Sequence, residues 1–307
     1  MVQASFTALV LSTLALLLPA GTGGGAAAAP VADVHVHYNW DQAELLDPAE
    51  AVRRLDAEGV VLAVVFSTPS DMARRLHQAA PGRVVPLYSP YVTPAARHTW
   101  YADPSLPGRV RAALASGDYR GIGEVHLLPG IGPRRDNPVL VALLDLAREF
   151  RVPFVIHTEA SDYRYFLPLC RRWAGVRFQW AHAGGILPPA QVAALLAACP
   201  NVYPDLSARD PWHYGGLTDE AGRLLPGWRE VLERFPRRFM VGSDPVWAAH
   251  QVERWDVANE GWDHLGRLWA FHRRWLEDLP PDLRRRLVLD NALEFYGAAR
   301  AASASSH

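Results

Sequence analysis

The sequence predicts an α/β protein folded as one (β/α)8 TIM barrel, and three observations support this prediction. Short apolar runs alternate with amphipathic stretches after residue 30, and the alternation repeats eight times along the chain. The apolar runs are nearly continuous in Val, Ile, Leu and Phe, which is typical of parallel strands buried on both faces. The length of 307 residues is ordinary for such a barrel.

The eight apolar runs define the predicted strands. They are Ala32–Tyr38, Val60–Ser67, Val84–Ser89, Gly121–Leu127, Pro153–Thr158, Val176–His182, Val202–Ser207 and Phe239–Asp244. Helices are predicted between them, for example Asn137–Phe150 and Pro189–Ala198, and a final helix is predicted over Asp282–Gly297. An open, doubly wound sheet is the competing arrangement, but no glycine-rich phosphate loop follows the first strand.

The first 29 residues differ in composition from the rest and resemble an export signal. An apolar run over 6–18 precedes a proline, a glycine-rich stretch and four alanines, which suit signal-peptidase cleavage near Pro30. The run is too short for a stable membrane span, although no Lys or Arg precedes it as in most export signals. We therefore predict a periplasmic or secreted protein, or a cytoplasmic one if the segment 1–29 is not a working signal. The barrel is expected over residues 31–299, with a tail over 300–307.

Composition excludes several classes of function. The formal net charge of −1 gives no electrostatic case for binding nucleic acid or an anionic membrane. All 31 basic residues are arginine, so Schiff-base catalysis by lysine and a carbamylated lysine between two metals are both excluded. Cys170 and Cys199 are the only cysteines. We expect them to be buried free thiols, with a disulfide as the alternative in an oxidising compartment.

Metal-ligand side chains recur at the carboxyl ends of five predicted strands, where barrel enzymes place their chemistry. His35 and His37 end the first strand, and their side chains point to the same face because strand residues alternate. The full set is His35, His37, Glu124, His157, His182 and Asp244. Imidazole and carboxylate ligands suit a divalent ion, Zn²⁺ first, with Mn²⁺ or Fe²⁺ as alternatives.

The order of these residues and the short motifs around them resemble the amidohydrolase superfamily of metal-dependent barrel hydrolases, and within it the amidohydrolase-2 (amidohydrolase-related) branch. The motifs are Ala32-Asp33-Val34-His35, Ala181-His182-Ala183-Gly184-Gly185, Gly242-Ser243-Asp244-Pro245 and Asp290-Asn291-Ala292. The resemblance covers about residues 31–299. The motif Gly121–Glu124 is also similar to the corresponding segment of TatD-type nucleases, in which a glutamate on this strand bridges two metals.

The resemblance implies a role for each ligand. His35, His37 and Asp244 would hold the first ion. His157 would complete that site or hold a second ion, and Glu124 would bridge the two ions if both are present. Many single-metal members of the branch lack this carboxylate, so the resemblance leaves open whether one ion or two are bound.

The resemblance also implies the reaction. A metal-activated water would attack an amide, lactone or ester bond of a small molecule, with Asp244 as the general base. His182 would be a second-metal ligand or would hold the oxyanion. The alternative in the same branch is a non-oxidative decarboxylase of an aromatic or unsaturated carboxylic acid, which needs one metal. Weaker alternatives are a TatD-like nuclease and a non-catalytic binding protein. A homo-oligomer is compatible with the sequence.

Aromatic and arginine residues follow the predicted strand ends and are candidates for substrate binding. Trp40 and Trp212 are predicted to form an apolar cup for a ring-bearing ligand. Arg164 and Arg209 are predicted to clamp a carboxylate or phosphate. Further candidates of the same two types are Trp100, Tyr101, Tyr214, Trp247 and Arg97.

Three polar residues have supporting roles in this interpretation. His126 lies two residues after Glu124, so it lines the pocket or hydrogen-bonds to a ligand. Asp205 follows the seventh strand and is expected to orient the histidines. Asn291 is expected to tie the last helix to the barrel.

Overall fold

The computed structural model describes residues 28–129, 132–159, 162–246, 258 and 260–304. Within these residues the chain is an α/β protein with two parallel sheets, one of three strands and one of four. Residues 1–27 of the signal-like segment lie outside the described residues, and so does Trp247. Among the described helices, none is both long enough and apolar enough to cross a membrane.

The strands follow the predicted order closely. They are β1 (Val31–His37), β2 (Val60–Phe66), β3 (Val84–Leu87), β4 (Ile122–His126), β5 (Phe154–His157), β6 (Phe178–Trp180) and β7 (Val202–Pro204). The sheet orders are β1-β2-β3 and β4-β5-β6-β7, so every strand pairs with its neighbour in sequence. Each of these strands begins within two residues of its predicted start, because the apolar runs that define them are largely buried.

The described helices lie between and after these strands in the sequence. They are α1 (Trp40–Leu45), α2 (Pro48–Ala57), α3 (Asp71–Ala79), α4 (Leu106–Ala115), α5 (Pro138–Phe150), α6 (Leu167–Arg172), α7 (Pro189–Ala198), α8 (Pro226–Arg234), α9 (Leu265–Leu276), α10 (Pro281–Arg285) and α11 (Asn291–Ala304). Several start with proline, whose fixed φ and missing N–H suit the first turn. The single helix predicted over Asp282–Gly297 is instead α10, a π-helical turn over Arg286–Asp290, and the start of α11.

The eighth predicted strand, Phe239–Asp244, is an extended segment that runs between β7 and β1. On one side the Met240 N–H donates to Pro204 O at 3.0 Å. On the other side the Val34 N–H donates to Val241 O at 3.1 Å, and the Asp244 N–H donates to His35 O at 2.8 Å. These bonds bring the aspartate at the end of the segment directly beside the histidines of β1.

A disulfide joins Cys170 in α6 to Cys199 at the C-terminal end of α7. The expectation of two free thiols was therefore wrong. The ends of the two helices pack side by side with the cysteine Cα atoms 6.0 Å apart, a separation that a disulfide spans easily. A spacing of 29 residues in sequence gives no sign of that proximity.

Candidate metal centre

The six residues predicted to bind a metal meet at the carboxyl ends of the strands, around one cavity of about 340 Å³. Five of them line the cavity, namely His37, Glu124, His157, His182 and Asp244. His35 is fully buried behind them. The structure thus brings together all of the side chains that the sequence singled out as ligands.

His35, His37 and Asp244 form the group of possible ligands that is most exposed to solvent. His37 Nε2 lies 3.4 Å from Asp244 Oδ1 and 3.4 Å from Glu124 Oε2. His35 Nε2 lies 3.7 Å from Asp244 Oδ1. With metal–ligand bonds of about 2.0–2.1 Å, tetrahedral ligand atoms are roughly 3.4 Å apart. The spacing of these atoms therefore fits one ion.

Two atoms of this group point to a cation. His35 Nε2 and Asp244 Oδ1 are buried and have no hydrogen-bond partner among the described residues. Buried polar atoms are normally satisfied, and leaving one unpaired costs about 1–3 kcal/mol. A divalent ion held between them would satisfy both atoms, so the residues present fit the group that the donor set implies.

Two glycines allow the backbone to approach closely enough to build the site. A Cβ at Gly242 would lie 2.6 Å from His35 Cβ, closer than two carbon atoms can pack. Gly123 has φ of +151°, and a Cβ there would lie 2.5 Å from Val155 Cβ. Glycine at these positions lets Asp244 and Glu124 stand against their neighbouring strands.

His182 stands on a strained turn that Arg209 supports. The φ of His182 is +55°, a conformation that side-chain-bearing residues rarely adopt. Arg209 Nε donates to His182 O at 2.8 Å, and its Nη2 donates to Ala183 O and Leu187 O at 3.1 and 2.9 Å. Arg209 is only 2% exposed. Its guanidinium therefore holds the turn.

Asp205 orients the histidines, as the sequence led us to expect. Its Oδ2 lies 3.2 Å from His35 Nδ1 and accepts from Gln179 Nε2 at 2.7 Å. Its Oδ1 accepts from the backbone N–H of His182 at 3.1 Å. A carboxylate at Nδ1 fixes the tautomer in which His35 Nε2 carries the lone pair, so that nitrogen is free to bind a cation.

His182 is oriented in a similar way by Ser207. Its Nδ1 lies 3.1 Å from Ser207 O and 2.9 Å from Ser207 Oγ. The carbonyl oxygen can only accept, and the hydroxyl already donates to Asp205 Oδ1. Nδ1 must therefore donate. His182 Nε2 then carries a lone pair, 3.7 Å from Glu124 Oε1 and 3.8 Å from Asp244 Oδ2.

The electrostatics of the centre favour a cation. Burial lowers the pKa of His35, but the charges of Asp205, Asp244 and Glu124 outweigh it and raise that pKa to about 10. Burial lowers the pKa of His182 to about 4, assisted by His35 and another site histidine. Burial raises the pKa of Glu124, yet the neighbouring imidazoles hold it well below its usual value. The carboxylates are therefore ionised at neutral pH, and a bound cation would replace the proton on His35.

A second group of possible ligands consists of Glu124, His126 and His157. His157 Nδ1 lies 2.7 Å from Glu124 Oε1. The His126 ring stacks on that of His157 with centroids 4.5 Å apart, and its Nε2 lies 3.7 Å from Glu124 Oε2. His126 is thus a member of the cluster itself and lines the cavity.

The predicted substrate-binding residues divide into two sets. Trp40 lines the cavity, together with Tyr214 and Arg97. Trp212 lies elsewhere, under Arg267 at 3.8 Å from its guanidinium carbon. Arg164 is exposed and pairs with an aspartate two residues earlier, at 2.9 Å.

Three residues predicted to bind substrate lie outside the cavity lining, namely Trp212, Arg164 and Arg209. None of these side chains lies among the cavity-lining residues that the structure describes. The reason is the same for each one. A position after a strand end fixes where a loop starts, whereas the path of the loop decides whether its side chains turn toward the cavity or away from it.

Among the residues that line the cavity, sequence reasoning missed Glu159, Tyr91 and His213. Glu159 lies two residues after His157, and the alternation of strand residues could have found it. Its Oε1 is 2.8 Å from His157 Nε2, and that bond lowers the pKa of Glu159 to about 2. Tyr91 and His213 follow their strands in loops, where no spacing rule applies.

A family model described as Amidohydrolase matches residues 32–298. Among curated protein sequences, none matches this chain.

Several solved structures have a similar fold. An amidohydrolase from Burkholderia multivorans with bound zinc is 18% identical, with a TM-score of 0.54 over 88% of this chain and 99% of that one. A putative 2-pyrone-4,6-dicarboxylic acid hydrolase from Pseudomonas putida is 18% identical, with a TM-score of 0.56 over 87% and 97%. A dihydroxybenzoic acid decarboxylase from Polaromonas with bound manganese is 11% identical, with a TM-score of 0.57 over 90% and 99%. At such identities the likeness is one of fold.

Proposed function

This chain belongs to the Amidohydrolase family, whose model matches residues 32–298, and on that premise we propose that it hydrolyses an amide, lactone or ester bond of a small molecule with a divalent metal ion. The sequence resemblance to this family is confirmed by that match. Family members are metal-dependent hydrolases and decarboxylases. The observation that carries the proposal is the pair of buried, unpartnered atoms His35 Nε2 and Asp244 Oδ1 within the described residues.

His35, His37 and Asp244 would hold the ion, with Glu124 and His182 beside it. Their nitrogen and oxygen donors suit Zn²⁺, with Mn²⁺ or Fe²⁺ as alternatives. When bound, such an ion supplies a Lewis acid that polarises a carbonyl group and lowers the pKa of water.

Asp244 would act as the general base. Its side chain is mostly buried but lines the cavity. Burial raises the pKa of this carboxyl, but the surrounding histidines outweigh that effect and lower the pKa below its usual value. An ionised carboxylate at this place can accept a proton from an attacking water. Its two oxygens face different histidines, so one can serve as a ligand while the other accepts the proton.

His182 would serve as a ligand in this proposal. Because Nδ1 donates to Ser207, Nε2 has a lone pair and no hydrogen to offer an oxyanion. The low pKa of about 4 keeps the ring neutral at physiological pH. Of the two roles implied by the family resemblance, the hydrogen bonds of this structure favour metal binding.

A non-oxidative decarboxylase is the second candidate. One observation favours it: Arg97 lines a cavity that also has the rings of Trp40, Phe66 and Tyr214, a combination that suits an aromatic carboxylate. The Polaromonas structure carries this activity in its name.

Two further proposals concern the whole chain. The two sheets would close into a (β/α)8 barrel, which is supported by hydrogen bonds at both seams. Tyr88 N–H donates to Gly121 O at 2.9 Å between β3 and β4, and Phe239–Asp244 bridges β7 to β1. Export from the cytoplasm is supported by the disulfide Cys170–Cys199, because disulfides persist in oxidising compartments.

Metal analysis and activity assays test the function together. The purified protein would be loaded with Zn²⁺ or Mn²⁺ and assayed against lactones, esters and anilides, with CO₂ release from aromatic acids measured in parallel. Asp244→Asn should lower hydrolysis at least about 100-fold, whereas Asp278→Asn, at a poorly exposed carboxylate that caps Leu224 N–H, should retain it. CO₂ release without hydrolysis would instead establish the decarboxylase. A protein that binds no divalent ion would refute both.

A further inference from the structure

Arg97 contacts His126, a member of the second group of possible metal ligands. We propose that its guanidinium is a built-in cation of the cluster formed by Glu124, His126 and His157, and that the chain therefore binds one divalent ion, in the group formed by His35, His37 and Asp244. This inference rests on the proposed metal-dependent function.

The first step concerns His126. Arg97 lies in a short 3-10 helix after β3, Pro94–His98, and its Nη2 is 3.0 Å from His126 Nε2. A guanidinium can only donate hydrogen bonds, so His126 Nε2 must accept with its lone pair. A metal ion at this nitrogen needs the same lone pair. Arg97 and a metal ion are therefore mutually exclusive partners of His126.

The other nitrogen of His126 is not an alternative ligand. Its Nδ1 lies 2.8 Å from the hydroxyl of Tyr91, and that hydroxyl also accepts the His126 backbone N–H at 2.8 Å. Tyr91 is 5% exposed and packed into the core. The two contacts fix the ring so that only Nε2 faces Glu124.

The ring nitrogens of His157 also have hydrogen-bond partners already. Its Nδ1 is 2.7 Å from Glu124 Oε1, and its Nε2 is 2.8 Å from Glu159 Oε1. Tyr214 contributes as well, since its hydroxyl lies 3.3 Å from His157 Nε2. Both ring nitrogens are thus at hydrogen-bond distance from carboxylate oxygens, which leaves neither one directed at an empty position.

The two ligand groups therefore differ in what fills them. In the first group, His35 Nε2 and Asp244 Oδ1 have no hydrogen-bond partner among the described residues. In the second, His126 and His157 are held by Arg97 and by carboxylates at 2.7–3.0 Å. A permanent positive charge beside the second group also repels a divalent ion. Glu124 then supports His157 and closes the first site, without bridging two ions.

Metal stoichiometry tests the inference without reference to activity. The parent protein, Arg97→Met and the control Arg164→Met would be dialysed against Zn²⁺ or Mn²⁺ and analysed by mass spectrometry of metals. The control removes an exposed arginine that pairs with Asp162, outside the cavity lining. Electron paramagnetic resonance of the Mn²⁺ forms would report whether two ions lie close enough to couple.

We expect one ion per chain in the parent and in Arg164→Met, and two coupled ions in Arg97→Met. The second ion should disappear again in Arg97→Met/His126→Ala. Two ions in the parent, or one ion in a folded Arg97→Met protein, would overturn the inference and leave the proposed function standing. A parent that binds no ion would overturn both. If the Arg97 variants do not fold, the stoichiometry of the parent still tests the inference, because two ions there would overturn it.

Discussion

Replacing Asp205 by asparagine tests whether the metal centre depends on a residue that would not touch the ion. Asp205 is fully buried, and all described hydrogen-bond partners of its carboxylate are donors, from His35, Gln179, His182 and Ser207. The asparagine side chain would keep one acceptor oxygen and turn an NH₂ group toward some of these donors. At least one buried donor would then lose its acceptor.

The magnitude follows from two separate losses. Without the carboxylate at Nδ1, the favoured tautomer of His35 is lost, and such oriented partners are typically worth about 10–100-fold in metal affinity. That range corresponds to roughly 1.4–2.8 kcal/mol of binding free energy. The unpaired buried donor should in addition lower the free energy of unfolding by about 1–3 kcal/mol. The pKa of His35 should fall as well, since Asp205 is the first among the charges that raise it.

The assay is competition for Zn²⁺ between the folded protein and a chromophoric chelator, with urea unfolding of the metal-free protein as a second measurement. Asp278→Asn is the matched control, because Asp278 is also a poorly exposed carboxylate that accepts a backbone N–H. It should bind Zn²⁺ like the parent. An Asp205→Asn protein that is folded and binds Zn²⁺ within about threefold of the parent, well short of the expected loss, would refute the reasoning.

Three further variants test the fold around the site. Gly242→Ala should lose about 1–3 kcal/mol of unfolding free energy in urea, because its Cβ would lie 2.6 Å from His35 Cβ. Cys170→Ser/Cys199→Ser should lose about 3–4 kcal/mol in thermal or urea unfolding, the loop entropy expected for a disulfide that spans 29 residues. His272 is buried with its pKa lowered to about 4. Below pH 6.5 the imidazole binds a proton in the unfolded chain but not in the folded chain. The free energy of unfolding should therefore fall between pH 6.5 and 4 by at most ~3 kcal/mol, and by less in His272→Gln.

Each of these variants has an outcome that contradicts its premise. Gly108→Ala, with open space around the new Cβ, is the control for Gly242→Ala, and equal stabilities would mean that the close approach to His35 does not exist. Parent stability that does not change under reducing conditions would count against the disulfide. Parallel pH profiles for the parent and His272→Gln would show that the imidazole of His272, held by Gly242 O at 3.0 Å, does not titrate as described.

The ligand set and most of the strands could be predicted from the sequence because both have local signals. A buried parallel strand is a short apolar run, and a ligand at its carboxyl end is the next polar residue. These two rules located β1, β4, β5 and β6 to within two residues and predicted that His35, Glu124, His157 and Asp244 would meet. The eighth predicted strand, Phe239–Asp244, is not a regular strand, because it makes too few hydrogen bonds to β7 and β1.

The sequence by itself determined the α/β class, the family and the cluster of imidazoles and carboxylates, since each depends on residue type and spacing along the chain. Only the tertiary structure decided which arginine faces the cavity. Arg97 reaches His126, while Arg209 holds the turn of His182 and Arg164 stays in solvent. It also decided that Cys170 meets Cys199. The physical reason is that these contacts join segments distant in sequence, and their geometry depends on how loops and helix ends pack rather than on any local pattern.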